Sequence, residues 1–299
     1  MKQLPTEYLH GLLSKLAPAN PSPSHRVRAT PRRSGRETAR LNEHKVLRAV
    51  AQFGHLRISE LARAVWPQAR YAEQLARRTA ARLVATGMLL ERRNALGSRS
   101  LCLTRGGAAW LELRGVEAQH TLDLSSVAGS TFFHRTLATR YLIERQVEGA
   151  QVVGEYQLLR RKAPFDVDAV MRATRKLPDG MVWQRRASGP MDVELVEQEA
   201  AAKARQELEK CLRMAELVGR PLDARGLYRV GGLVFVYDRE LNHARRILLA
   251  AASLWGDRPH AERVMLERRV KLVAVELRDP LVWVGSSTVT LHDLRQRGV

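Results

Sequence analysis

The sequence predicts an α+β chain in which a basic helical part with one hairpin, residues 41–115, precedes a mixed-sheet α/β domain, residues 116–299. Two observations carry this prediction. The hydrophobic pattern changes from helical spacing to short alternating runs near residue 150. The charge is also uneven, because residues 1–115 carry 21 Lys and Arg against seven Asp and Glu, whereas the remainder carries 29 against 24. A basic excess of this size indicates a polyanionic partner, most often nucleic acid.

Composition excludes several classes of protein. The longest apolar runs, such as residues 248–254, are far shorter than the roughly 20 residues that cross a bilayer. The first 15 residues contain no apolar block typical of a signal peptide. The basic excess could serve an anionic membrane surface, but no long basic amphipathic helix supports that use. Cys102 and Cys211 are far apart and fit neither a disulfide nor a metal-ligand pattern, so we expect buried thiols in a cytoplasmic protein without a membrane partner.

The N-terminal arm, residues 1–40, is basic and rich in Pro, Ser and Arg after residue 17. Such a segment buries too little apolar surface to offset its ordering entropy, so we expect it to be mostly flexible. It is either a solubilising tail or an arm that touches phosphates.

Three helices and a hairpin are expected next. A first helix at residues 41–52 buries Val46, Leu47 and Val50 and stops at Gly54, and a short second helix begins at Ile58. The third spans residues 69–86, with a core stripe of Leu75, Ala76, Thr79, Leu83 and Val84. Strands at residues 88–93 and 100–104 enclose a turn that contains Gly97.

This order resembles a winged helix-turn-helix, with "LRISELARAV" in the place of the second helix and "GMLLERR" and "RSLCLT" in the wing. The resemblance implies that the third helix enters the major groove of duplex DNA and that the wing contacts the neighbouring backbone. The alternatives are a solvated helix face, or a module for protein contacts or dimerisation. The candidate DNA-binding residues are Arg70, Arg77, Arg78, Arg82, Arg92, Arg93 and Arg99.

The hydrophobic pattern of residues 116–299 predicts a mixed sheet covered by helices. His134 lies in a helical segment, where we expect a packed, hydrogen-bonded core residue. Strands are expected at residues 152–159, 165–172, 181–184, 191–199, 232–238, 271–277 and 282–284. Helices are expected at residues 200–218, 241–253 and 261–268.

The acids in this half resemble the core of the PD-(D/E)xK nucleases. Asp179 follows a proline and matches the first acid of that motif, and Glu197, at a strand end, matches the second. The resemblance implies that these carboxylates hold Mg²⁺, while a lysine orients water or stabilises the developing charge. Glu199 stands where the motif has its lysine, so Lys203 on the following helix is the candidate replacement.

A structural explanation of the same acids also stands. Asp179 and Gly180 fit a simple turn. The neighbouring glutamates fit a solvated sheet edge in which Glu194, Glu197 and Glu199 pair with Arg185, Arg186, Lys203 and Arg205.

The whole order of motifs, including "FFHRTLATRYL", "LPDGMVW" and "GLVFVYD", resembles the replication-relaxation family of plasmids and integrative elements over residues 41–240. The resemblance implies a DNA-binding accessory in replication, relaxation or conjugative mobilisation of a mobile element, with a nuclease-like C-terminal fold. Duplex DNA is the expected partner, with relaxase or replication proteins and a second copy of the chain as further candidates. We expect DNA binding that needs no cofactor and an inactive α/β assembly domain. The alternatives are an Mg²⁺-dependent endonuclease and a transcriptional regulator.

Overall fold

The computed structural model describes residues 34–94, 97–120, 129–199, 204–240, 243–278 and 281–298. The described residues from Ala39 onward form one compact unit. Most of the predicted arm and Lys203 lie outside the described residues.

The N-terminal part of the compact unit is helical and carries a small antiparallel sheet of order β1-β3-β2. The hairpin pairs Leu89 with Leu103 through to Arg93 with Arg99, as predicted. The first helix begins at Gly35, six residues earlier than predicted, and the two-residue strand β1 was not predicted. The elements are α1 (Gly35–Phe53), β1 (His55–Leu56), α2 (Ile58–Val65), α3 (Ala72–Ala85), β2 (Leu89–Arg93), β3 (Arg99–Leu103) and α4 (Arg105–Glu112).

A mixed six-stranded sheet of order β4-β5-β6-β7-β8-β9 organises the remainder. β6, β7 and β8 are parallel, and the outer neighbours pair in antiparallel fashion. The elements are α5 (Gly129–Val147), β4 (Gln151–Gly154), α6 (Glu155–Leu158), α7 (Val167–Thr174), β5 (Gly180–Trp183), β6 (Met191–Glu199), α8 (Arg205–Leu212), a 3₁₀ helix (Arg213–Leu217), β7 (Tyr228–Asp238), α9 (His243–Trp255), α10 (His260–Arg268), β8 (Val270–Arg278), β9 (Val282–Thr290) and α11 (Leu291–Gln296).

One predicted strand was wrong, and another was predicted too long. Residues 165–172 mostly form helix α7, because the side chain of Asp166 accepts the backbone N–H groups of Asp168 and Ala169 and caps a helix. The strand predicted at residues 152–159 ends at Gly154, where α6 begins. The described part of the helix predicted at 200–218 is α8 continued by the 3₁₀ helix.

The central strands of the sheet are buried on both faces. One face places Leu195, Leu233 and Phe235 against residues of α7 to α11. The other places Val196, Val234 and Val273 in one cluster with Leu142 and Ile143 of α5 and with core residues of α1, α2 and α3. The hydrophobic core therefore extends across residue 115, where the sequence predicts a domain boundary.

Polar contacts join α2 to α5. The guanidinium of Arg63 donates to Glu144, with 2.6 Å from Nη2 to Oε2 and 3.1 Å from Nε to Oε1. Arg140, one turn before Glu144 on the same helix, donates to the second oxygen of the same carboxylate at 2.8 Å. This shared carboxylate fixes the rotation of α5 beneath α2.

None of the described helices is both long enough and apolar enough to span a membrane.

Gly54 provides a test of the packing between the N-terminal part and the sheet. It has φ +80°, and a Cβ there would lie 2.7 Å from Cδ2 of Tyr156, the second residue of α6. We expect Gly54→Ala to lower the free energy of unfolding by roughly 2–5 kcal/mol, from left-handed strain together with overpacking. Gly87→Ala is the matched control, since Gly87 has φ +68° with nothing within 4 Å of the added carbon. Equal losses for both variants in urea unfolding would contradict the packing.

Candidate functional site

The two candidate acids lie opposite each other at one edge of the sheet. Gly180 of β5 pairs with Val196 of β6, which places Asp179 opposite Glu197. The backbone N–H of Asp179 donates to the carbonyl of Val196 at 2.9 Å, so pairing continues one residue before β5. The strand pairing therefore brings together residues that the sequence places 18 positions apart.

Asp179 is bound by a helix residue and by the neighbouring strand. Nε2 of His134, on α5, lies 3.0 Å from Oδ2 of Asp179 as a donor, and the backbone N–H of Gln198 donates to the same oxygen at 2.8 Å. Burial alone would raise the pKa of Asp179, but the hydrogen bond from His134 and the positive charge of Lys176 lower it on balance. His134 is hydrogen-bonded, as predicted, and about a quarter of its side chain is exposed.

Glu197 has different partners from Asp179. Its carboxylate is fully buried, and it accepts from Nζ of Lys176 and, at 3.3 Å, from Sγ of Cys211. Burial would lower the pKa of Lys176, but the nearby Glu197, with smaller effects from Cys211 and Asp179, raises it overall. The ammonium of Lys176 thus neutralises Glu197 and also acts on Asp179.

Sequence reasoning missed Lys176, which stands three residues before Asp179 in "KLPD". It also treated Cys211 only as a buried thiol. Cys211 is buried, as predicted, but its thiol lies in this polar cluster and not in a wholly apolar environment.

One group within the described part of the chain could hold a metal ion. Glu197, Glu199 and Cys211 are all buried and offer ligand atoms within 4.8 Å of one another. Two carboxylates and a thiol suit a borderline ion such as Zn²⁺, whereas Mg²⁺ prefers oxygen ligands alone. Binding there would also require Lys176 to leave Glu197. Glu199, which stands where the nuclease motif has its lysine, thus lies beside Glu197 and Cys211.

The predicted solvated edge was wrong for Glu197, which is fully buried, and Glu194, Arg186 and Arg205 have other partners than those predicted. Glu194 pairs with Lys271 at 2.5 Å, and Arg186 pairs with Asp192 at 2.6 Å. Arg205 pairs with Glu209, one helical turn further along α8, at 3.3 Å. Asp192 and Glu194 lie nearer the start of β6, whereas Glu197 lies near its end.

A cavity of about 200 Å³ adjoins Asp179. His134, Phe53, His55, Leu142 and Tyr156 contribute to its lining. Burial lowers the pKa of His55 to about 4, so this imidazole is neutral at physiological pH. The lining is mainly apolar, and its polar residues include His134, Asp179, Arg135 and Glu155.

All seven predicted DNA-binding arginines have exposed side chains, and α3 buries Ala76, Thr79, Ala80 and Leu83 on its other face. Three of the seven are held by carboxylates. Arg77 pairs with Glu73 at 2.8 Å, Arg82 with Glu43 of α1 at 2.6 Å, and Arg99 with Glu91 across the hairpin at 2.9 Å. Among the described residues, Arg78 and Arg93 have no carboxylate within 4.0 Å.

Comparisons with protein-family models, with curated proteins and with solved structures each gave no match to this chain.

Lys176 can be tested by removing its charge. We expect Lys176→Met to lower the free energy of unfolding by roughly 3–5 kcal/mol, because it leaves the buried Glu197 carboxylate without its ammonium. The double variant Lys176→Met, Glu197→Gln should recover most of that loss. Lys210→Met is the control, since Lys210 pairs with the exposed Glu207 and its removal should cost under about 1 kcal/mol. If Lys176→Met and Lys210→Met lowered the free energy of urea unfolding equally, the role assigned to the Lys176–Glu197 ion pair would be wrong.

Asp179 predicts a pH dependence of stability. The pKa of Asp179 in the folded state is below the ordinary 3.8. The contribution of this carboxylate to the free energy of unfolding is therefore present above pH 3.8 and is lost as the pH falls through the folded-state pKa. We expect Asp179→Asn to destabilise the protein by roughly 1–3 kcal/mol at neutral pH. The difference between the two proteins should shrink below about pH 3.8. A difference that is constant over the whole acid range would contradict the lowered pKa.

Proposed function

We propose that this protein binds duplex DNA through a winged helix-turn-helix formed by α1 to α3 and the β2–β3 hairpin. The observation that carries the proposal is the distribution of arginine over α3 and the hairpin, with side chains that are exposed while the opposite face of α3 is buried. An α-helix fits the major groove, and guanidinium groups match both phosphate oxygens and the guanine edge.

The helix α3 is the proposed reading element. Arg78 lies on its exposed side next to Arg77, and Arg77 is paired only with an exposed glutamate one turn away. Exposed pairs of this kind are weak, so a phosphate can replace the carboxylate of Glu73 at little cost. Arg82 has a different proposed role, because its ion pair with Glu43 orients helix α3 against helix α1.

The hairpin is the proposed wing. Arg92 and Arg93 end β2 with exposed side chains, and Arg99 begins β3 directly opposite Arg93. The hairpin therefore presents several cations within two residues of its turn. Contacts from such a tip to the sugar-phosphate backbone position the protein without specifying a base sequence.

We assign the α/β part a non-catalytic role in assembly. The ion pair of Lys176 with Glu197 supports this assignment, because an internal ammonium already neutralises the carboxylate that a metal would need. The proposed setting is accessory work in replication, relaxation or mobilisation of a mobile element, with relaxase or replication proteins as partners. The DNA contacts proposed here require no cofactor.

An Mg²⁺-dependent endonuclease is the second candidate. The observation that favours it is that Lys176 acts on both acids, which lie at adjacent strand ends. Asp179 contacts His134 on the α5 face of the sheet, whereas Glu197 contacts Cys211 on the α8 face, so a shared ion would require one of the two side chains to move to the other face. In that case Asp179 and Glu197 would contribute oxygen ligands, and a lysine would stabilise charge on the scissile phosphate.

DNA binding is tested with arginine variants on α3 and the hairpin. We expect the double variant Arg78→Gln, Arg93→Gln to weaken binding to a duplex at least about tenfold and to reduce the salt dependence of binding. Fluorescence anisotropy over a range of salt concentrations measures both quantities. The matched control, Arg213→Gln with Arg225→Gln, removes two exposed charges elsewhere and should change affinity less than about twofold. Equal weakening by both variants would contradict the assignment of the DNA-contacting surface.

Cleavage separates the two candidates. We expect supercoiled, linear and single-stranded DNA to remain intact with the purified chain and either Mg²⁺ or Mn²⁺. Cleavage that requires metal and is abolished by Asp179→Asn in a folded variant would overturn the non-catalytic role and favour the nuclease.

A further inference from the structure

A basic concavity lies at the opposite end of the sheet strands from Asp179 and Glu197. The groove is about 360 Å³, and it is formed where β5 ends and where β6, β7 and β8 begin. Along β6, Glu194 of the groove lining precedes Glu197 of the acid cluster by three residues, which is about 10 Å of extended strand. We call this concavity the edge groove. Its cationic lining residues are Arg145, Arg185, Arg186, Arg268, Arg269 and Lys271.

The charge of the edge groove is strongly positive. Only Asp192 and Glu194 oppose the six cations of its lining. Asp192 forms ion pairs with both Arg186 and Arg229, each at 2.6 Å, and Glu194 forms an ion pair with Lys271. Within the described residues, Arg185, Arg268 and Arg269 have exposed side chains and no carboxylate within 4.0 Å.

The floor of the edge groove carries no side chain. It is formed by Gly231 and Gly232 of β7, beside a register shift between Val193 and Glu194 of β6. A Cβ at residue 231 would lie 2.6 Å from Cβ of Asp192, and one at residue 232 would lie 2.9 Å from the carbonyl oxygen of Arg269. The packing of the strands therefore requires glycine at both positions, which leaves a concavity with cationic walls and a bare backbone floor.

We infer that the edge groove binds phosphate groups of the DNA backbone, as a second contact surface whose lining contains no residue of α3 or of the hairpin. Guanidinium forks from Arg185, Arg268 and Arg269 match phosphate oxygens in charge and geometry. Trp183, the aromatic residue of the lining, is only 8% exposed and offers no platform on which a base could stack. The chemistry therefore favours backbone phosphates over unpaired bases. The identity of the polymer rests on the proposed function, while the phosphate site itself does not.

The first test is the affinity of the full chain for a duplex of about four helical turns. We expect Arg185→Gln, Arg268→Gln and Arg269→Gln together to weaken binding at least about tenfold. The slope of log affinity against log salt should fall in magnitude by up to about 3, as expected when three phosphate contacts are lost. The matched control, Arg213→Gln, Arg225→Gln and Arg245→Gln, removes the same charge from exposed positions outside the groove. An effect of the groove variant no larger than that of this control overturns the inference.

The second test locates the phosphate directly and does not depend on DNA binding. Inorganic phosphate and a mononucleotide are titrated separately against the full chain, and the amide signals of Gly231 and Gly232 are followed by NMR. Saturable shifts that the groove variant abolishes support the phosphate site. Shifts that the groove variant retains overturn it.

The two tests separate the failure of each proposal. If the groove variant binds DNA normally while the Arg78, Arg93 variant does not, the inference that the edge groove contacts DNA is wrong and the proposed function stands. If the chain binds no DNA but phosphate shifts both glycines, the phosphate site stands and the proposed function fails. Affinity for the mononucleotide equal to that for the duplex overturns the choice of a polymer over a free nucleotide.

Discussion

Burial of the second sheet face beneath α5 is the constraint on which the rest of the structure depends. Val196, Val234 and Val273 point to the side where α5 supplies Leu142 and Ile143, and the same cluster continues into the core of α1 to α3. A sheet with three parallel strands must be covered on both faces, and here one cover is shared with the N-terminal helices. The proposed DNA-reading elements are therefore carried by a sheet-backed unit and not by an independent module.

The same arrangement explains why the acid cluster is built as it is. His134 reaches Asp179 because α5 crosses the end of β5, and Lys176 reaches Glu197 because α7 ends just before that strand. Asp179 receives its donor from helix α5, and Glu197 receives its cation from the segment that follows α7. A buried carboxylate without such a partner would be strongly unfavourable, so the ion pairs are needed for folding whether or not the site has further chemistry.

Much of the architecture could be predicted from the sequence, because the patterns were local. Val46, Leu47 and Val50 lie on one face at helical spacing, and all three are buried. The strand at residues 191–199 has the predicted bounds. Residues 165–172 were misassigned because their β-branched residues outweighed the capping signal of Asp166.

The site was less predictable, since its contacts join residues distant in the chain. Asp179 and Glu197 could be proposed from their positions at strand ends. The contact of Glu197 with Lys176 spans 21 residues, and that of Asp179 with His134 spans 45, across elements whose packing no local pattern specifies. The edge groove is a further case, because Arg145, Arg185 and Arg268 come together only when the strand order is known.

Hydrogen exchange of the full chain, measured with and without a long duplex, tests whether DNA binds on α3 and the hairpin. The account predicts slowed amide exchange in α3 and in β2 and β3 on adding DNA, with further protection at residues 184–186 and 268–271. It predicts unchanged exchange at residues 176–179 and 197–199. Unchanged exchange in α3 and the hairpin, with protection confined to the acid cluster, would contradict it.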